Sequence, residues 1–134
     1  MPSVKTERAF RLVIDEVPNT AVQPSTGLQT TLRILSPVFL APSTESRPRM
    51  KWSAARSADG VVLTARNDGE AHERLSEIKV AADDQVVAEG TAFGGYVLAR
   101  SSRSWTLPGT VSGEAVISGA GAFGPIDARV AITR

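Results

Sequence analysis

Two segments near the start of the chain show the alternation of apolar and polar residues that is typical of β-strands. In the first, ERAFRLVIDEVP, the apolar residues Phe10, Leu12 and Ile14 occupy alternate positions, and Pro18 ends the segment. Because successive side chains of a strand point to opposite faces, these three residues share one face. The pattern predicts a first strand that ends at Pro18.

The second segment, LQTTLRILSPVFLAP, continues the alternation. Leu28, Thr30, Leu32 and Ile34 lie on one side of the predicted strand. The intervening loop, NTAVQPSTG, contains proline and glycine, which break regular structure. We therefore predict a β-hairpin whose second strand covers residues 28–40.

Pro37 lies within this second predicted strand. Proline has no backbone N–H, so the strand cannot lie in the middle of a sheet along its whole length. An exposed edge strand with a row of apolar side chains normally invites aggregation. The same arrangement suits a protein that lends a strand to another protein, and it also suits an ordinary hairpin. The residues alone leave both interpretations open.

The remainder of the chain has the pattern of a β-sandwich. The stretch PSTESRPR combines two prolines with small and charged residues, which predicts a linker. Beyond it, short apolar runs alternate with turn residues at intervals of about ten residues, as in a sandwich. The predicted strands are 50–54, 61–66, 85–88, 96–99, 104–107, 115–118 and 128–133.

Composition narrows the classes of function. The chain has 134 residues, and its 15 basic and 14 acidic side chains nearly cancel, so we expect no nucleic-acid partner. It has no cysteine, which excludes a disulfide framework and thiol chemistry. No segment reaches the roughly 20 apolar residues of a membrane helix, so we expect no membrane insertion.

The sequence contains no recognisable catalytic or metal-binding pattern. We interpret His72, the single histidine, as a solvated loop residue, because no nucleophile or orienting group is predicted beside it. One histidine without cysteines provides too few ligands for zinc. Asp83 and Asp84 lack the spacing of a calcium loop and instead predict a hairpin turn. We therefore expect no enzyme activity, no cofactor and no metal.

Two segments carry a more specific signal. FRLVIDEVP, a polar loop and LQTTLRILSPVFLAP together resemble the last two strands of the N-terminal domain of periplasmic pilus-assembly chaperones of the chaperone–usher pathway. GYVLARSSRSWTLP, at residues 95–108, is similar to a segment in the second domain of that family. The tetrapeptide SPVF in the first of these matches is similar to the sequence found in the archaic branch of this chaperone family.

This resemblance implies a chain organised in three parts. Residues 1–42 are expected to be the last two strands of the first domain, 43–49 a linker, and 50–134 a C-terminal immunoglobulin-like β-sandwich. Family members have a signal peptide and a complete first domain of about seven strands. Here two strands precede the linker, and the start MPSVKTERAF has no apolar run of signal-peptide length. The expectation is a fragment or a shortened form of a periplasmic protein.

The resemblance also implies a strand at the one place where local propensity predicts a helix. Residues 70–82 are rich in helix formers, and Leu75, Ile78 and Ala82 fall on one helical stripe. Tertiary packing often overrides such preferences. We predict a strand over 74–81.

The implied function is binding without chemistry. In this family a pilin subunit is an immunoglobulin fold that lacks its last strand, and the chaperone inserts a strand of its first domain into the gap. Leu28, Thr30, Leu32 and Ile34 match the alternating donor positions. Main-chain hydrogen bonds would give the pairing, and the side chains would fill subunit pockets. The expected partners are pilin subunits and an outer-membrane usher.

Two residues depart from the family pattern. Pro37 stands where better-known members have a lysine that anchors the subunit's terminal carboxylate, and Ala41 stands where they have an arginine. Arg33 is the nearest basic candidate for the anchor, and Arg11 on the partner strand is the second. A solvent-facing role is open for both.

The hairpin also predicts self-association. A two-stranded hairpin is marginally stable alone in water. This one is expected to expose the apolar side chains of Phe10, Leu12, Ile14, Leu32 and Ile34. We expect the hairpin either to be disordered or to pair with a second copy, in a dimer formed by edge pairing or by exchange of strands.

Two other classes of function stay open. A pilin-like structural subunit would show an N-terminal donor extension and usually cysteines. A generic β-sandwich module that binds a ligand such as carbohydrate would need exposed aromatic residues around 93–96 or 120–123. Trp52, Trp105 and Phe123 are candidates for lining a groove, although buried aromatic residues are more common in sandwiches.

Overall fold

The computed structural model of the chain describes residues 5–18, 27–90 and 93–134. Ten strands account for most of these residues, and none of the described residues lies in an α-helix. The predicted all-β, sandwich-like class is confirmed. The strands are β1 Arg8–Asp15, β2 Arg33–Leu40, β3 Met50–Ser57, β4 Gly60–Asn67, β5 Glu73–Ala82, β6 Gln85–Glu89, β7 Gly95–Val97, β8 Ser102–Leu107, β9 Glu114–Gly121 and β10 Gly124–Thr133.

The strands belong to two compact units. We call Arg8–Leu40 the hairpin unit, and we call Met1–Glu7 together with Ala41–Arg134 the sandwich unit. The short segment before β1 thus belongs with the second unit, whereas the sequence grouped all of residues 1–42 together. Between Leu40 and Met50 the chain has no strand.

In the hairpin unit, β1 and β2 form an antiparallel pair that runs from Arg8 opposite Leu40 to Asp15 opposite Arg33. The second strand therefore begins at Arg33, five residues later than the predicted 28–40. Continuing the same register would place Pro18 opposite Thr30, at a position where the pairing needs an N–H that proline lacks. The loop predicted between the strands lies, apart from Gly27, outside the described residues.

In the sandwich unit, the strands follow the order β6-β5-β9-β10-β3-β4-β8, and β7 pairs with β5. The pairs are antiparallel except for β10 with β3, where Ile132 is opposite Ala54. One buried cluster contains residues from β5 and β9 and also from β4 and β8, so the sheet curls and its two ends face each other. Val61, Leu63 and Ala65 confirm the predicted inward face of β4, since each is fully buried.

The segment that local propensity assigned to a helix is the strand β5, as predicted. Its pairing with β9 shifts between Ser76 and Lys79, where a β-bulge occurs, and Glu77 has a φ of 54°. The extra residue allows Leu75 and Ile78, three positions apart, both to point into the core. The bulge therefore explains why these apolar residues have helical spacing within a strand.

Candidate strand-donor site

The hydrogen bond between the Glu16 nitrogen and the Leu32 oxygen, 2.8 Å, defines the pairing pattern of the hairpin. In an antiparallel pair, hydrogen-bonded and non-hydrogen-bonded residue pairs alternate. The even-numbered residues of both strands therefore point their N–H groups at each other, and the odd-numbered residues point theirs outward. Pro37 falls on an outward position, which is why proline is compatible with β2.

The four predicted donor residues are exposed, but they do not all lie in the strand. Leu28 is 90% exposed, Leu32 61% and Ile34 45%, and Thr30 is exposed as well. Ile34 belongs to β2, whereas the other three precede it. Residues 28–31 make no backbone hydrogen bond to any residue that the structure describes. The donor row therefore consists of a segment with no backbone hydrogen bond to the described residues, followed directly by a strand.

Arg33, the first candidate anchor, is already paired. Its Nε and Nη2 donate to the two carboxylate oxygens of Asp15, at 2.5 and 3.0 Å, and Asp15 is its directly opposite neighbour. Beside this pair lies an open recess of about 370 Å³, lined by Asp15, Glu16, Thr31, Leu32 and Arg33. A ligand carboxylate at Arg33 would have to compete with Asp15.

Arg11, the second candidate anchor, lies directly opposite Pro37. The two residues form a non-hydrogen-bonded pair, in which side chains approach most closely and share one face. Arg11 makes no ion pair or side-chain hydrogen bond within the described part of the chain. Of the two candidate anchors, Arg11 is thus the one that no carboxylate of the described residues engages, and it lies next to Pro37.

His72 is not the solvated residue that the sequence predicted. Its side chain is 19% exposed, and Nδ1 lies 2.8 Å from Glu7 Oε1. The His72 backbone nitrogen donates to the same oxygen at 2.9 Å, and Tyr96 contacts the ring edge-on. No local pattern of the sequence marks this contact, because Glu7 is 65 residues away from His72 along the chain.

The same segment makes two further contacts with the sandwich. The Glu7 nitrogen donates to the Glu70 oxygen at 2.9 Å, and Thr6 Oγ1 donates to Glu70 Oε2 at 2.9 Å. Arg100 also forms an ion pair with Glu70. Hydrogen bonds from Arg100 and Thr6 lower the pKa of Glu70. We call Thr6, Glu7, Glu70, His72 and Arg100 the N-terminal clasp.

A second polar cluster organises the turn after β4. Asn67 is fully buried; its Oδ1 accepts from Arg49 N and Gly69 N, and its Nδ2 donates to Ala71 O and Val97 O. Next to it, Asp68 accepts from Arg66 at 2.7 Å and is paired with Lys51 at 3.1 Å. Hydrogen bonds from Arg66 and Lys51 hold the pKa of Asp68 below its usual range. These contacts are structural and leave no vacant polar site.

The aromatic residues do not form the single groove that the sequence left open. Trp52 and Trp105 stack with ring centroids 6.2 Å apart and pack against the core. Phe93 is buried and contacts Trp105. Phe123 is exposed in the β9–β10 turn, beneath the guanidinium of Arg47 at 4.5 Å.

The described residues contain no group of three or more histidine, aspartate or glutamate side chains arranged to hold a metal ion. Asp83 and Asp84 form the two-residue turn between β5 and β6, with φ values of 50° and 60°, as the hairpin prediction required. Nor does the described part of the chain contain a helix with the length and apolar character to span a membrane.

No protein-family model matches the chain, and no curated protein matches it either. The family likeness therefore rests on the two sequence segments that resemble pilus-assembly chaperones.

Proposed function

We propose that this chain is a pilus-assembly chaperone of the chaperone–usher type, which binds incomplete pilin subunits in the periplasm and delivers them to an outer-membrane usher. The observation that supports the proposal best is the exposed row of Leu28, Leu32 and Ile34. It lies on a segment whose backbone groups at 28–31 have no described partner. A segment that combines an alternating apolar row with main-chain groups not bonded to the described residues is suited to completing a sheet of another protein.

The side chains of this row supply enough burial for useful affinity. Placing three aliphatic side chains in subunit pockets contributes roughly 1.5–3 kcal/mol each, or about 5–9 kcal/mol together, before the costs of association. Thr30 contributes little because of its hydroxyl. Main-chain pairing along 28–34 adds binding that does not depend on the subunit's sequence.

The geometry favours Arg11 over Arg33 as the group that binds the subunit's terminal carboxylate. Arg33 is held by two hydrogen bonds from its guanidinium to Asp15. Arg11 lies opposite Pro37, the position where the resembled family has its anchoring lysine. A guanidinium on the neighbouring strand thus places a positive charge close to where that lysine's would be, and it can donate charge-assisted hydrogen bonds.

The donor role is tested by capture of a pilin subunit. The probe is an archaic-class pilin whose N-terminal extension has been deleted, so that it cannot polymerise, co-expressed with this chain in a bacterial periplasm. Leu32→Asp is expected to abolish co-purification, because it places a carboxylate in an apolar pocket. The matched control is Thr31→Asp, which adds the same charge one residue away on the opposite face. Equal capture by Leu32→Asp and the unmodified chain would refute the role of the row.

The anchor is tested in the same assay with two alanine variants. Arg11→Ala is expected to weaken capture about tenfold or more, the loss of one charge-assisted interaction. Arg33→Ala is expected to have a smaller effect, because its guanidinium is bound to Asp15 in the free hairpin. The reverse order would assign the anchor to Arg33.

A further inference from the structure

The two outer edges of the hairpin are not equivalent. On β1, the outward N–H groups belong to Ala9, Arg11, Val13 and Asp15, and none of these residues is a proline. On β2, Pro37 removes one outward N–H from the middle of the strand. Among the described residues β1 pairs with β2 alone, and none of them forms a strand along its other edge. The edge of β1 that faces away from β2 therefore has the uninterrupted row of N–H groups with which another strand can pair.

We propose that this edge pairs with the β1 edge of a second copy of the chain. The two β1 strands run antiparallel, and a twofold axis passes between the Leu12 residues of the two copies. Outward N–H groups can bond only to outward groups of the other copy, so odd residues must oppose odd residues. Within that constraint, the register centred on Leu12 places Arg8 opposite Glu16 of the second copy. By symmetry the same opposite-charge pair occurs twice.

The charges of β1 disfavour the neighbouring register on one side. Shifting the centre by one residue toward the N-terminus would place Arg11 opposite Arg11 and Glu7 opposite Asp15. Like charges directly opposite each other destabilise a sheet. Shifting the centre toward the C-terminus would place Phe10 opposite Glu16, and Arg11 opposite Asp15, whose two carboxylate oxygens already accept hydrogen bonds from Arg33. The register centred on Leu12 instead places Phe10 opposite Ile14, which is an aromatic with β-branched pair.

The apolar side chains of the hairpin favour the same partner, a second copy of the chain. One face carries Phe10, Leu12 and Ile14 from β1 together with Ile34, Val38 and Leu40 from β2. All six are between 38% and 56% exposed. Pairing two β1 strands joins two such faces into one four-stranded apolar surface, and more than two strands are needed for a stable sheet. The second copy provides matching charge and matching apolar faces together.

A cysteine scan tests the register. The chain contains no cysteine, so a single introduced thiol can cross-link only with the other copy. Leu12→Cys would lie opposite itself at a non-hydrogen-bonded pair, with Cα atoms about 4.5 Å apart, within reach of a disulfide. Phe10→Cys would lie about 13 Å from its counterpart, four residues away, which is too far. Under oxidised glutathione, dimer cross-linking of Leu12→Cys but not of Phe10→Cys supports the proposal. No cross-linking of Leu12→Cys, or equal cross-linking of both, overturns it.

A pair of proline variants tests which edge is used. Val13 and Leu35 are directly opposite, and both point their N–H groups outward. Val13→Pro removes an N–H from the β1 edge, and Leu35→Pro does the same on the β2 edge, with equal disturbance to the hairpin. Light scattering after size-exclusion chromatography is expected to show a monomer for Val13→Pro and a dimer for Leu35→Pro. The opposite result, or a monomeric unmodified chain at every concentration, overturns the proposal.

Charge reversal provides a further test, in which Arg8→Glu is the cleaner single variant because Glu16 Oε2 also accepts from the Leu32 nitrogen at 3.0 Å. Arg8→Glu and Glu16→Arg are each expected to weaken the dimer, and the double variant is expected to restore it. Within one chain these residues are about 26 Å apart along β1, so restoration cannot arise inside a monomer. Failure of the double variant to restore the dimer overturns the register. Because this edge does not include residues 28–34, subunit capture and dimer formation succeed or fail separately.

Discussion

Glu7 and His72 are joined through a single carboxylate oxygen. Glu7 Oε1 lies 2.9 Å from the backbone nitrogen of His72 and 2.8 Å from its Nδ1. The Glu7 side chain is only 4% exposed, so this contact replaces nearly all of the carboxylate's hydration. The contact ties the segment before β1 to the loop before β5, within the sandwich unit.

Removing this carboxylate should destabilise the sandwich unit. Glu7→Ala leaves the His72 nitrogen without its acceptor, and we expect a loss of about 1.5–3 kcal/mol, the usual value for a hydrogen bond to a charged group. Urea unfolding followed by tryptophan fluorescence measures the change. Lys5→Ala is the matched control, since Lys5 is exposed and belongs to the same segment. Equal stability of the two variants would show that the clasp contributes nothing.

The lowered pKa values of Asp68 and Glu70 predict the direction of acid sensitivity. Both carboxylates bind protons less readily in the folded chain than in the unfolded chain. Their contribution to stability is therefore complete above their ordinary pKa, near 4, and is lost as the pH falls through the lowered values. Asp68→Asn is expected to reduce the dependence of unfolding free energy on pH below about 4.

The control for this experiment is Asp59→Asn. Asp59 lies in the β3–β4 turn and forms no ion pair with the described residues. Its replacement should leave the acid limb of the stability curve nearly unchanged. An Asp68→Asn curve that follows the unmodified protein below pH 4 would contradict the role assigned to Asp68.

Gly69 should be intolerant of any side chain. A Cβ at this position would lie 2.3 Å from the Arg47 oxygen and 2.5 Å from the Arg49 nitrogen, and both are backbone atoms. Gly69→Ala is therefore expected to cost about 1–3 kcal/mol or more, as overpacking does. Gly109→Ala is the matched control, because its nearest neighbour would be 3.6 Å away. Thermal unfolding should separate the two variants by several degrees.

Asn67 should be sensitive even to a nearly isosteric change. In Asn67→Asp the donor Nδ2 becomes an oxygen facing the oxygens of Ala71 and Val97, which lie 2.8 and 3.2 Å from that atom. A buried, unpaired charge costs more than about 3 kcal/mol. Gln85→Glu makes the same chemical change on an exposed residue of β6 and is expected to be nearly neutral. Comparable urea midpoints for both variants would contradict this account.

Much of the strand pattern is predictable because alternation is a local property. The burial of Val61, Leu63 and Ala65 follows from their spacing alone, and so does the turn at Asp83 and Asp84. The strand β5 was harder to predict, because Leu75 and Ile78 are spaced as on a helix. Only the bulge at Glu77 allows residues with this spacing to share one face of a strand. The bulge depends on pairing with β9, which is distant in the sequence.

The candidate donor site was predictable in part. The sequence located the apolar row of Leu28, Thr30, Leu32 and Ile34, and the structure leaves those residues exposed. It did not locate the start of β2, just before which the Leu32 nitrogen donates to the Glu16 side chain instead of to a backbone oxygen of β1. Nor did the sequence distinguish the two candidate anchors, Arg11 and Arg33, because only the register of the hairpin shows that Asp15 is opposite Arg33.

By itself, the sequence determined that this protein is built of strands, where most of them lie and which face of each is apolar, because side chains two residues apart always share a face. The tertiary structure decided which strands are neighbours and that Glu7 contacts His72. It also decided the register of the hairpin, in which Arg33 lies opposite Asp15 and Arg11 lies opposite Pro37. These relationships depend on register and on contacts between residues far apart in the chain, and no local pattern of residues encodes them.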